Sequence, residues 1–191
     1  MSARDIARIA VFAALTAGMG LIGSIYLGGA VPITLQTLGV MLAGAVLGPW
    51  RGAASMLLLL LGVVLGLPLL AGGRGGIGVF MSPTAGYLVG WVVAAFVIGW
   101  IVGRKPVWWR VLLASIVGGM LVIYLVGIPV QALVTQLSIG ETIISSLVFL
   151  PGDFFKAVVA TLITMGLYRA YPRAFENETK KRAPELELVS H

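Results

Sequence analysis

The run "TAGYLVGWVVAAFVIGWIV", Thr84–Val102, contains no charged residue. As a helix rising ~1.5 Å per residue, it is long enough to cross the ~30 Å hydrocarbon core of a bilayer. A bilayer offers the backbone no water, so a continuous apolar run of this length is read as a spanning helix. Working outward, further apolar segments cover Ile6–Ile25, Ile33–Trp50, Gly52–Leu70, Val111–Val130 and Phe154–Tyr171. The 191 residues are 59% hydrophobic and 10% charged, and the mean hydropathy is +1.05. Soluble domains carry ~25% charged residues, so this chain has too few to coat a globule. The expected fold is an all-α integral membrane protein: a bundle of six transmembrane helices over residues 1–176, multi-pass in the cytoplasmic membrane. Residues 177–191 are charged and expected to form a disordered cytoplasmic tail.

A seventh apolar segment, "TQLSIGETIISSLVFL" (Thr135–Leu150), is different. Ser138, Glu141, Thr142 and Ser145 follow the i, i+3, i+4, i+7 spacing of one helical face. A polar stripe with a carboxylate suits an interfacial helix or lid better than a span. Charge placement agrees. With the N-terminus inside, Arg4, Arg8, Arg51, Arg104, Lys105, Arg110, Arg169, Arg173, Lys180, Lys181 and Arg182 lie at inner ends, 11 of the 13 basic residues. This is the positive-inside pattern, and it places both termini in the cytoplasm. Trp50, Trp100, Trp108, Trp109, Tyr168 and Tyr171 fall near the same ends, as an interfacial belt would. The opening "MSARDIARIAVFAALTAGMG" has the basic start of a secretory signal, but the small-residue pattern described below favours a retained first span.

The net charge of +6 sits beside membrane segments and gives no reason to expect nucleic acid. There are no cysteines, and the one histidine is the last residue, His191. No metal site is expected, and hydrolytic chemistry has too few parts.

Arg74, Glu141, Asp153 and Lys156 are left at the outer end. In "FLPGDFFK" (Phe149–Lys156), Pro151 and Gly152 are expected to break the chain, with Asp153 opening the last span as a helix N-cap. Lys156 lies i+3 from Asp153, on the same face, in a turn where the helix dipole disfavours a cation. Snorkelling to the interface is the plain alternative. Ionisable groups at membrane depth otherwise point to function. The loop "LLAGGRGGIGVFMSPTAGY" (Leu69–Tyr87) surrounds Arg74 with glycines. Gly73, Gly75 and Gly78 formally match G-x-G-x-x-G, but no βαβ unit surrounds them, so a dinucleotide reading fails. Glycine permits close backbone approach, and Arg74 offers a fork of donors to a carboxylate. In "GGAVPITLQTLGV" (Gly28–Val40), Thr34, Gln36 and Thr37 place polar groups at the outer end of the second span. Interhelical packing is their structural alternative. Tyr87 and Trp91, i and i+4, serve either as a pocket wall or as interface anchors. Together these groups suit a small, amphipathic, anionic solute. There is no P-loop and no polar path through the spans, so such a binder needs partners.

Three motifs carry a family resemblance: "VPITLQTLGVMLAG" (Val31–Gly44), "GLPLLAGGRGGIGVFMSPTAGYLVGW" (Gly66–Trp91) and "FLPGDFFK". From the first span to about Tyr171 the chain resembles the BioY family, biotin-binding S components of energy-coupling factor (ECF) transporters. The resemblance implies a six-helix S-component fold, biotin capture from outside and delivery inward by a toppling motion. It also implies a transmembrane coupling protein and two cytoplasmic ATPases as partners, which hydrolyse ATP in place of this chain; the chain itself needs no cofactor. On this reading Asp153 accepts a ureido N–H, Lys156 donates to a ligand oxygen and Arg74 takes the valerate carboxylate. Gln36 and Thr34 make secondary contacts, Gly73 belongs to the closing loop, and Tyr87 and Trp91 form a wall. Ala7, Ala10, Ala14 and Ala17, on one helical face, match the family's docking motif; packing within the bundle is the alternative. The competing classes are an S component for thiamin or riboflavin, a non-transporting structural subunit and an intramembrane enzyme.

Overall fold

The computed structural model describes residues 2–22, 24–25 and 31–175. The tail expected over 177–191 lies outside the described residues. What is described is nearly all helical. Helix α1 (Ala3–Leu21) leads to a two-residue antiparallel ladder, β1 (Ser24–Ile25) with β2 (Ile33–Thr34). Then come α2 (Gln36–Leu47), α3 (Pro49–Val64), α4 (Ala85–Val102), α5 (Trp108–Ile116), α6 (Ile123–Thr135), α7 (Ile139–Ser146) and α8 (Leu150–Ala170). A π-helical stretch, Val117–Val122, joins α5 to α6, and a 3-10 turn, Leu147–Phe149, joins α7 to α8. Among the described residues, three continuous rods are long and apolar enough to cross a membrane: Ala85–Val102, Trp108–Thr135 and Ile139–Ala170.

Several boundaries differ from the hydropathy reading, each for a local reason. α1 starts early because Ser2 and Asp5 form a reciprocal capping box that satisfies free N–H groups. The second and third apolar segments are redrawn at Gly48, whose φ of +80° only glycine adopts freely. Pro49 then starts α3, where its missing N–H costs nothing. The fifth segment runs on through Pro129 to Thr135. "FLPGDFFK" contains no break. Pro151 lies in the first turn of α8 and Gly152 follows inside it, so Asp153 is a first-turn residue and not an N-cap. The cap signal belongs upstream. Ser138 and Glu141 form a capping box that starts α7, while Thr142 and Ser146, not Ser145, face inward.

α2 is apolar all round and almost wholly buried, as such a helix must be. It packs against α1, α3, α4 and α8. Its small residues allow this: a Cβ on Gly39 would lie 2.5 Å from Thr16 Oγ1 on α1. One half of the core joins Val40, Met56, Val63, Leu88 and Trp91; the other joins Met41, Ile98, Val111, Ala157 and Ala160. Exposed Leu57, Leu61, Leu125, Leu133 and Leu162 form the outer apolar surface that a bilayer would cover. Helix directions sort the ends. The starts of α2, α4 and α8 lie at one end, and the starts of α1, α3 and α5 at the other. The Asp5–Arg51 ion pair, 2.7 Å, ties α1 to α3 at that second, basic end.

Candidate functional site

A cavity opens where α2, α4 and α8 begin, roofed by the loop after α3. Counted to its open mouth, solvent included, it spans ≈ 590 Å³.

Its polar centre is on α8. Asp153 and Lys156 are 5% and 6% exposed and paired at 2.8 Å (Oδ1–Nζ). Burying two charges is expensive unless further hydrogen bonds compensate. Here they do. Lys156 Nζ donates to Thr37 Oγ1 at 3.0 Å, Thr37 reaches Asp153 Oδ1 at 3.4 Å, and Tyr124 donates its hydroxyl to Asp153 Oδ2 at 2.5 Å. The carboxylate therefore sits in the favourable first turn of α8 with partners from α2 and α6. The lysine does not snorkel away; it turns inward.

Arg74 lines the same cavity from the loop. Its backbone pairs with Leu70 in an isolated bridge, closing a turn in which Gly72 and Gly73 both have positive φ. Its Nε donates to the Ala71 carbonyl at 3.3 Å and Nη1 to Thr84 Oγ1 at 3.5 Å. A guanidinium has five N–H donors, so capacity remains for a ligand. Gly73 does not line the cavity; it shapes the turn that presents Arg74.

Gln36 lines the cavity, but its amide is committed elsewhere. Its Nε2 donates to the carbonyls of Thr16 (3.2 Å) and Leu69 (3.0 Å), and its Oε1 accepts from Ala71 N–H (3.0 Å). It pins the glycine loop to α1 and α2. Thr34 Oγ1 accepts from the Gln36 N–H at 3.3 Å, at the start of α2. Tyr87, Trp91 and Phe149 supply buried aromatic walls. The Tyr87 hydroxyl donates to Gln131 Oε1 at 2.7 Å and lies 3.3 Å from Ser146 Oγ, linking α4, α6 and α7.

The structure thus brings together Asp153, Lys156, Arg74, Gln36, Thr34, Tyr87 and Trp91 around one cavity. Tyr124 was not anticipated from sequence. Its signal is a lone hydroxyl inside the aliphatic run "LVIYLVG", away from the interfacial belt. Two cations and one carboxylate leave the cavity net positive, fit for one anionic group on an otherwise apolar ligand. Among the described residues no cluster of potential metal ligands occurs.

On α1, Ala7, Ala10 and Ala14 are exposed and Ala17 is half-buried. The inward face of α1 is instead Ile9, Ala13, Thr16 and Gly20.

Comparison with known proteins matches residues 1–173 to a family model described as "BioY family". A protein of Rhizobium etli named "Biotin transporter BioY" is 46% identical over 90% of this chain and 97% of its own length. One of the same name from Rhodobacter capsulatus is 44% identical over 90% and 96%. The crystal structure of "the S-component for biotin from an ECF-type ABC transporter" superposes with a TM-score of 0.83 at 30% identity, covering 88% of this chain and 95% of that one.

Proposed function

The chain belongs to the BioY family, and we propose that it takes up biotin as the substrate-binding S component of an ECF transporter. The observation that carries this reading is the buried Asp153–Lys156 pair facing an aromatic-walled cavity with Arg74 at its rim. Biotin presents two ureido N–H donors, one ureido carbonyl and a carboxylate on an apolar tail. Asp153 accepts a ureido N–H, Lys156 donates to the ureido oxygen, and the spare donors of Arg74 take the carboxylate. Tyr87, Trp91 and Phe149 cover the ring system. The relatives are named for biotin, which leaves the thiamin and riboflavin alternatives without support.

The remaining parts follow from the same reading. The six rods α1, α2, α3, α4, α5–α6 and α8 are six spans of the cytoplasmic membrane, with both termini and the basic end inside. The exposed face of Ala7, Ala10 and Ala14 docks a transmembrane coupling protein, because small residues let a partner helix approach closely. Two cytoplasmic ATPases supply the energy, so this chain is a carrier and not an enzyme.

Mass spectrometry of the protein purified from biotin-grown cells tests the reading. Biotin released on denaturation is the expected result. An empty protein that also fails to bind added biotin contradicts it.

A further inference from the structure

A second groove lies at the basic end of the bundle, where α2 ends, α3 begins and α4 ends. Counted to its mouth it holds ≈ 790 Å³, and its lining includes Arg51, Arg104, Trp50, Trp100 and the buried ring of Phe175. Nothing in vitamin capture at the other end requires it.

Its electrostatics favour an anion. Arg51 gives one nitrogen to Asp5 at 2.7 Å and keeps its other donors. Arg104 is exposed at the rim. Two guanidinium groups against one carboxylate leave a net positive charge. The residue before α3 is Gly48, which offers no side-chain cap, so the positive end of that helix adds to the same field. The opposing carbonyl end of α4 is covered by Arg110, whose Nη2 donates to the Ile101 carbonyl at 2.7 Å. The floor is backbone: a Cβ on Gly99 would lie 2.3 Å from the Gly48 carbonyl carbon.

Its flanks favour a lipid over a soluble anion. Trp50 and Trp100 are 76% and 71% exposed. Indoles with this exposure settle at the headgroup level of a bilayer. Trp50 is braced edge-on by Phe96 at 4.8 Å between centroids. Below it, Ala54, Leu57 and Leu61 continue one face of α3 at i+4, i+7 and i+11, with both leucines exposed. That row gives acyl chains an apolar track leading down from the charged mouth. Basic pockets between membrane helices recognise anionic headgroups by the same combination.

We propose that this groove binds the phosphodiester headgroup of an anionic phospholipid, with Arg104 and the remaining donors of Arg51 on the phosphate oxygens and the two indoles beside it. The test is native mass spectrometry of the full chain in detergent, titrated with phosphatidylglycerol and, separately, phosphatidylcholine. Phosphatidylglycerol should be retained preferentially. Arg104→Gln should weaken it about five-fold, the weight of one juxtamembrane arginine. Trp100→Leu should weaken it without altering the charge. Arg169→Gln, an exposed arginine at the same end but outside the groove, should leave it unchanged. Melting temperatures verify that each variant is folded. Equal retention of phosphatidylcholine, or no effect of Arg104→Gln in a folded protein, overturns the proposal. So does an equal loss with Arg169→Gln, which would mean diffuse attraction. Displacement by glycerophosphoglycerol at the lipid's own concentration would assign the groove to a free anion and likewise overturn it.

Discussion

Asp153 and Lys156 are the charged pair at the centre of the proposed biotin site, and their setting explains why two charges persist in so apolar a chain. Each is held by partners from other helices: Thr37 from α2 and Tyr124 from α6. Tyr124 is the less obvious member. Replacing it with Phe removes one hydrogen bond to an ionised group, and such bonds contribute ~1.5–3 kcal/mol. Tyr124→Phe should therefore weaken biotin binding about ten-fold by titration, with the fold intact by circular dichroism; unchanged affinity would mean that Asp153 needs no help from α6. Residue chemistry was partly legible in the sequence. The i, i+3 spacing put Asp153 and Lys156 on one face, and the structure pairs them. The cap assigned to Asp153 was misplaced because Pro-Gly reads as a break, whereas proline is tolerated in the first helical turn, where its N–H has no partner to lose. The family resemblance implies Gln36 as a secondary contact, and it does line the cavity. Its three hydrogen bonds to the backbone make it a brace for the loop that carries Arg74. No single-residue signal separates these two uses of a buried amide.

At the scale of elements, the long apolar runs of α4 and α5–α6 were legible because hydropathy reports removal from water directly. Corners were not. The second and third apolar runs read as divided at Arg51, but the chain turns at Gly48, where a positive φ makes the corner. Helix-to-helix fit was equally hidden. A Cβ on Gly127 would lie 2.5 Å from Tyr87 Cδ1. Gly127→Ala should thus displace a cavity wall at an overpacking cost of ~1–3 kcal/mol, seen as a lower melting temperature together with weaker biotin binding. A variant normal in both would show that the ring can yield. α1 behaves oppositely, since Ala7, Ala10 and Ala14 are exposed among the described residues and the bundle is packed by Ala13, Thr16 and Gly20 on the other face. Ala14→Trp should abolish uptake in cells that contain the coupling module while purified protein binds biotin normally. Loss of both would assign the alanine face to folding.

The whole molecule is polarised. One end holds the cavity and its loop; the other gathers Arg4, Arg8, Arg51, Arg104, Lys105 and Arg110 at helix starts and turns. That asymmetry was readable as a count of charges, because membrane insertion responds to basic residues near span ends. The absence of cysteine makes the orientation directly testable. Met81, 80% exposed beside the cavity loop, and Lys105, at the basic end, are convenient single sites. In intact cells Met81→Cys should react with a membrane-impermeant maleimide, and Lys105→Cys should react only after lysis. The reverse pattern would invert the topology and place the cavity inside. Whether biotin is held through the buried carboxylate of Asp153 is decided by calorimetric titration of purified wild-type and Asp153→Asn proteins with biotin. Tight binding to the wild type is expected, with a loss of at least about 1.5 kcal/mol in the variant, the weight of a hydrogen bond to a charged group. Equal affinity in the two proteins, or no binding to the wild type, would contradict it.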